Sequence, residues 1–177
     1  MGRIFFTADT HFGHGNIIKH CSRPFGGTTE MDQELIRRWN EVVGPEDTIY
    51  HLGDFSYRTP RPGFYFEQLN GRKHLVIGNH DKGKTLKLGW SSVEHRTYLA
   101  VEGRELVLDH YAMRTWKNIR YGAWHLFGHT HGRMPPHYSS MDVGVDTHDF
   151  RPWSWEEVVE AMRRIEEQNP FNGKGGA

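Results

Sequence analysis

The chain has one cysteine, Cys21, among 177 residues, so no internal disulfide can form and no thiolate zinc finger can be built. It has no excess of either charge: 22 Lys plus Arg balance 22 Asp plus Glu. That balance argues against broad electrostatic capture of nucleic acid or an anionic membrane, while leaving room for a local basic rim. Long apolar runs are missing too. Ile4-Phe5-Phe6 is soon closed by Asp9, too short for a secretory signal, and nothing approaches the ~20 apolar residues of a membrane helix. No internal repeat or linker divides the chain. The expectation is one soluble, cytoplasmic domain over residues 1–169, long enough to bury a core. A disordered tail is expected at 170–177, where Pro170 precedes Gly173, Gly175 and Gly176.

What the chain has in abundance is histidine, 13 residues in all, several of them close to Asp, Asn and Gly. Apolar and polar segments alternate in a regular order. Arg3 to Ala8 reads as a short buried strand, and Thr28 to Val43 as a helix that Thr28 or Thr29 can cap. Thr48 to Leu52, Pro62 to Leu69 and His74 to Ile77 continue as strand, short helix and strand, a rhythm that implies parallel crossovers. Val93 to Val101 and Glu105 to Leu108 flank a turn and read as a hairpin. Trp124 to Phe127 and Met141 to Val145 read as strands, and Ser154 with Glu157 forms a capping box for a last helix, Trp155 to Glu167.

Polar clusters follow these apolar strands five times: Asp9-x-His11, Gly53-Asp54, Gly78-Asn79-His80-Asp81, His110, and Gly128-His129-Thr130-His131. In open α/β sheets, ligands bind beyond the carboxyl ends of strands, so these distant segments can meet at one edge. Strand alternation would aim Asp9 with His11, and His129 with His131, in one direction if it persists there. A mixture of carboxylate oxygen and imidazole nitrogen suits Mn, Fe or Zn better than Ca or Mg. The glycines before Asp54, Asn79 and His129 permit tight turns.

The ordered set resembles the calcineurin-like metallophosphoesterase superfamily, whose pattern is DxH, GD, GNH followed by an acid, a single His, and GHxH. All five blocks are present in order from Asp9 to His131. The likeness implies an α/β fold, a four-layer αββα sandwich of mixed sheets, with a dinuclear metal site at the strand ends. It implies that Asp9, His11 and His131 bind one divalent ion, that Asn79, His110 and His129 bind the other, and that Asp54 bridges both. Manganese is the expected metal, with Fe, Zn or Ni as alternatives. Water activated to hydroxide between the ions would attack a phosphate ester. His80 would act as general acid or steady the phosphate charge, with Asp81 orienting it and raising its pKa. One departure from the pattern is Asp109, which precedes the single His where Gly or Ser is usual.

Further residues are candidates by position. His14 and Asn16 lie just past the first block, and Arg23 either belongs to a fixed loop, Cys21 to Phe25, or meets a substrate phosphate with its guanidinium. Arg114 to Tyr121 interleaves cations with aromatics after His110, and reads either as a substrate wall built on Arg114 and Trp116 or as an exposed loop with an anchoring Trp. Arg58, Arg61 and Arg72 read as ordinary surface charge. The remaining histidines, His20, His51, His74, His95, His125, His137 and His148, match no ligand position. The resulting expectation is a phosphodiesterase acting on a phosphoester small molecule or a nucleic-acid end, since so short a chain leaves little room for a cap over the site. No membrane and no protein partner are implied. The alternatives are a phosphomonoesterase on the same site, or a catalytically silent binding module on the same fold. A β-lactamase-like hydrolase is a poor fit because no Asp-His pair follows His131.

Overall fold

Apolar runs flanked by polar turns become the strands of two sheets. In the first, β1 (Ile4–Thr7), β2 (Thr48–His51), β3 (Arg72–Val76) and β4 (Ser92–Glu94) lie side by side, each pair parallel. β9 (Trp153–Ser154) closes the other edge, antiparallel to β1. In the second, β5 (Arg96–Val101) and β6 (Arg104–Asp109) form the expected hairpin, and β7 (Trp124–Phe127) and β8 (Ser140–Asp142) add in parallel. The structure, a computed structural model, describes residues 2–168. The expected tail, 170–177, lies outside them.

Successive residues of β1 serve different layers, as strand alternation requires. Phe6 joins Leu52 and Val76 against Leu106, Leu108, Trp124 and Leu126 of the second sheet. Phe5 and Ile49 face the other way, onto Met31, Leu35 and Trp39 of α2 (Thr28–Val42). The same helical layer includes α1 (Gly15–His20) and α3 (Pro62–Phe66). With both faces covered, the strands read as near-continuous apolar runs. α4 (Trp155–Gln168) adds Trp155, Val158 and Met162 to the inter-sheet core. Over the far face of the second sheet, Val107 packs against Trp116 and Ala123. The molecule is thus an αββα sandwich of two mixed sheets with a thin fourth layer.

Several expected elements differ in detail. The run Val93 to Val101 is not one strand: Val93 pairs with Leu75 in the first sheet, whereas Arg96 pairs with Asp109 in the second. The chain changes sheets at His95, and a bond from Arg96 Nε to Asp109 Oδ2 (2.7 Å) anchors the new strand. Neither Thr28 nor Thr29 caps α2; Gly27 occupies that position, and the Glu30 carboxylate receives the Gly26 N–H instead (2.7 Å). The capping box on α4 forms, Ser154 N–H to Glu157 Oε2 (2.8 Å) and Glu157 N–H to Ser154 Oγ (3.2 Å).

Candidate metal centre

Strand geometry ends at Thr7, so alternation is not what aims Asp9 and His11. Both have a left-handed backbone, φ 58° and 51°, as do Asp54 (59°), His129 (68°) and His131 (49°). Such conformations cost a non-glycine residue on the order of 1–3 kcal/mol and persist only where the surroundings over-determine them. Here a ladder continues beyond the strands. Asp9 N–H donates to Gly53 O (2.9 Å), His11 N–H to Asp54 O (3.0 Å) and Phe12 N–H to Phe55 O (3.0 Å). The loops after β1 and β2 are zipped together, and His129 N–H ties a third loop to Asp9 Oδ2 (2.8 Å). Glycine is needed where these loops cross. A Cβ on Gly53, itself at φ 95°, would stand 2.5 Å from His110 Nδ1, and one on Gly128 would stand 2.5 Å from Ala8 Cβ.

The seven side chains expected as ligands meet. Asp9, His11 and His131 form one group whose donor atoms lie within 4.8 Å of one another, and Asp54, His110 and His129 form a second. Asp54 joins the two, its Oδ2 lying 3.6 Å from His11 Nε2 and 3.6 Å from His110 Nε2. Asn79 Oδ1 is 3.1 Å from the same His110 nitrogen. His80 stands beside them, Nε2 3.8 Å from Asp54 Oδ2, and about a third of its side chain is exposed.

Burial makes this group of acceptors costly unless a cation joins it. Asp9 Oδ1 and His11 Nε2 are buried with no hydrogen-bond partner, and an unpaired buried polar atom is expensive. Burial pushes the Asp9 carboxyl well above its usual range. Burial, with Arg23 and neighbouring imidazoles, holds His11 well below its own, as a neutral ligand requires. His110 Nδ1–H on Leu52 O (2.8 Å) turns Nε2 inward, and His131 Nδ1–H on Asp146 Oδ2 (2.7 Å) does the same. Bonds of this kind fix the tautomer of metal-binding histidines. The residues therefore fit divalent cations by donor type, by orphaned atoms and by ring orientation.

The family model for calcineurin-like phosphoesterases matches residues 2–99. The chain belongs to this family. It is 30% identical over 175 residues to the uncharacterized protein MJ1445 of Methanocaldococcus jannaschii, covering 93% of each chain. It is 28% identical over 202 residues to the gene 66 protein of Mycobacterium phage D29, covering 94% of this chain and 99% of that one. The crystal structure of the protein of unknown function AQ665 from Aquifex aeolicus superposes with a TM-score of 0.72 at 26% identity, over 91% of this chain and all of that one.

Other candidates in the phosphoesterase take different places. Arg23 is buried and its five N–H groups are engaged: Nε and Nη2 grip Asp146 (both 2.8 Å), Nη2 and Nη1 donate to Asp9 O (2.7 Å) and Thr10 O (3.1 Å), and Nη1 also reaches Met31 Sδ (3.5 Å). No donor is left for a substrate, so Arg23 is a clamp on the first loop. Removing it would leave the buried Asp146 carboxylate with His131 alone and take the donors from Asp9 O and Thr10 O. Arg23→Ala should therefore cost about 3–5 kcal/mol and lower the Tm by roughly 10 °C, and a Tm within a degree or two of the parent would contradict the clamp. Trp116 is buried, donating Nε1–H to Ala123 O (2.8 Å). It packs the core rather than walling a substrate, while its neighbour Arg114 is exposed.

Asp81 also departs from expectation. Its two oxygens receive the backbone N–H groups of Asp54 (2.8 Å), Phe55 (3.0 Å) and Gly78 (2.9 Å), so it ties two ligand loops together instead of steering the His80 ring. His14 stacks on Tyr57 with ring centroids 3.9 Å apart, and its Nδ1 is 3.3 Å from His11 Nδ1. Burial lowers its pKa to about 4. Asn16 is exposed on α1. Asp109 is paired with Arg96 and with the Tyr111 N–H (2.9 Å), which turns its charge away from His110 Nε2.

Two residues of the site were not foreseen. Asp146 orients His131 and holds Arg23. Asp142 receives Thr130 Oγ1–H (2.5 Å), Gly132 N–H (2.9 Å) and Gly144 N–H (2.7 Å), and so fixes the loop that carries His129 and His131.

Proposed function

We propose that this phosphoesterase is a dinuclear-metal-dependent phosphodiesterase acting on a nucleotide or nucleic-acid-type substrate. The observation that carries the reading is the place of Asp54, one carboxylate oxygen equidistant from His11 and His110. Asp9, His11 and His131 would hold one ion, Asn79, His110 and His129 the other, and Asp54 both. Oxygen and imidazole donors favour manganese, with iron, zinc or nickel next. Two such ions neutralise phosphate charge and make an attacking water acidic enough to ionise near neutral pH.

The chain's own groups do the rest. Leu52 O and Asp146 keep two imidazoles in the ligating tautomer. His80 stands on the open side, where its ring can carry a proton to the departing oxygen. In the hydrolysis a P–O bond forms from water, the P–O bond to the leaving alcohol breaks, the His80 proton passes to that oxygen, and the proton of the water goes to solvent. A diester is preferred because the site is open on the side of His80, about a third of whose side chain is exposed, which leaves room for a second ester arm.

A screen with manganese across bis(p-nitrophenyl) phosphate, linear dinucleotides, cyclic nucleotides and monoesters tests this. Diesters should turn over fastest, and a chelator should stop the reaction. Faster monoester cleavage would make the protein a monoesterase. Full metal content with no turnover would make it a binding module.

His131 gives the site a pH signature. Burial alone would lower its pKa, but the hydrogen bond to Asp146, with Cys21 and Asp9 nearby, raises it to about 10 from a usual 6.5. An ion bound there must displace that proton. Calorimetry at pH 7.5 in buffers of different ionisation enthalpy should find net proton release on binding at this end, with His131 as one source. In the metal-free protein the raised pKa stabilises the fold fully below about 6.5, and that contribution is lost as pH climbs towards about 10. The metal-free Tm should fall over that window; no proton release and a flat Tm would refute the assignment.

A further inference from the structure

Beside Asn79 and His80 the surface opens into a cleft of about 590 Å³, lined also by Tyr57, Arg58, Lys82 and Lys84. No acidic residue lines it, although acids and bases balance over the whole chain. A concave surface of one sign focuses its field on an oppositely charged ligand. Among the described residues, neither Arg58 nor Lys82 has a carboxylate within ion-pair distance, and both are exposed. Lys84 spends one donor on Pro60 O (3.0 Å) and keeps the others.

Arg58 also has a left-handed backbone, φ 48°, on the loop that starts at Asp54. The Tyr57 ring is not free to stack a nucleobase. His14 lies flat on it, the Arg58 guanidinium lies over it at 5.2 Å from the centroid, and His80 meets it edge-on at 4.8 Å. The cleft therefore offers charge and hydrogen-bond donors rather than an aromatic platform. Hydroxyls add little, since Ser56 and Thr85 bond each other (3.0 Å).

We infer that this cleft is a subsite for a second phosphate of the substrate, next to the one that is cleaved, with Arg58 and Lys82 as its specificity residues. The inference rests on the phosphodiesterase reading. His80 forms the shared wall, which puts the second phosphate on the leaving-group side. A guanidinium and an ammonium can each supply charge-assisted bonds to it. The phosphate could belong to a nucleic-acid strand or to a nucleoside polyphosphate, and the two have the same chemistry at this site.

The test compares kcat/KM for the dinucleotide TpT with that for its terminally phosphorylated forms pTpT and TpTp, and, for the anhydride linkage, that for diadenosine diphosphate with that for diadenosine tetraphosphate. At least one substrate with an added phosphate should be favoured by about 10- to 100-fold, the range of a charge-assisted hydrogen bond, and the preference should shrink with salt. Preference for pTpT or TpTp marks a strand end as the source, and preference for the tetraphosphate marks a nucleoside polyphosphate. In Arg58→Gln and Lys82→Gln the ratio should fall towards one, whereas Arg163→Gln, exposed on α4, should leave it alone. A wild-type ratio near one, or variants that slow all substrates equally, would overturn the subsite.

Equilibrium binding gives a readout independent of turnover. Thymidine 3′,5′-bisphosphate should bind at least about tenfold tighter than the monophosphate, and Arg58→Gln should remove the difference. If no phosphoester is hydrolysed, the phosphodiesterase reading fails, and this binding pair still decides the subsite: a preference lost in Arg58→Gln upholds it, and equal affinities overturn it.

Discussion

Asp54→Asn should lose metal and activity together while the fold survives. One aspartate oxygen lies 3.6 Å from a ring nitrogen of His11 and 3.6 Å from one of His110, so a single side chain reaches both donor groups. An amide has the same shape but no negative charge, so the bridge would be lost without a hole. Asparagine also tolerates the left-handed backbone that Asp54 adopts at φ 59°, and it can still accept the His80 N–H that now reaches Oδ1 (2.8 Å). Thermal unfolding of the metal-free variant should therefore match the parent. Its metal content should drop, and kcat/KM should fall by on the order of 10³ or more, several kcal/mol of lost charge stabilisation. Asp54→Ala should do the same with an added loss of stability, because alanine resists that backbone region. Two ions per chain with parental turnover in either variant would end the dinuclear proposal.

The same geometry explains which parts of the site could be read in the sequence. Only a few side chains offer lone pairs to a hard or borderline cation, so Asp9, His11, Asp54, Asn79, His110, His129 and His131 are conspicuous by type and order. The groups that hold them are of common type. Asp142 and Asp146 are two of 22 acidic residues, one at the end of β8 and the other in the turn that follows it, and no periodicity singles out either. Leu52 acts through its carbonyl, which every residue has. Arg23 had the right chemistry for a phosphate, but its burial beside Asp146 directs it inward, and burial of a polar residue on a loop cannot be read from local pattern. Trp116 misled for the converse reason, since an aromatic among cations looks exposed until Val107 and Ala123 are seen against it.

The fold was legible where the chain obeys one period over several residues. β1, α2, β2, α3 and β3 follow from apolar spacing and turn residues, and their parallel pairing follows from the crossovers between them. The sheet change at His95 leaves no such mark, because alternation simply continues on either side of it while the partners change from β3 to β6. α1 spans six residues and β9 two; both are shorter than the window in which a period can be recognised, and both exist through tertiary contacts, Ile17 in the helical core and Trp153 across from Phe6.

His80→Ala should separate chemistry from metal binding. The ring is not among the clustered donor groups that would hold a cation; it stands beside them, 3.8 Å from Asp54 and partly open to solvent. The backbone bond from His80 N–H to Asp54 Oδ1 does not depend on the side chain, so the bridge should stay in place when the ring is removed. Metal content should be parental, and kcat should fall by about 10²–10⁴, the usual contribution of a general acid. A leaving-group series would show the cause. With p-nitrophenolate, which departs without help from a proton, the variant should lose little. With an alkoxide leaving group the loss should be near the upper end of that range. If the loss were equal for both leaving groups, His80 would act on the phosphate charge rather than on the departing oxygen. Loss of metal would place its ring among the ligands, which the separation of the two donor groups argues against.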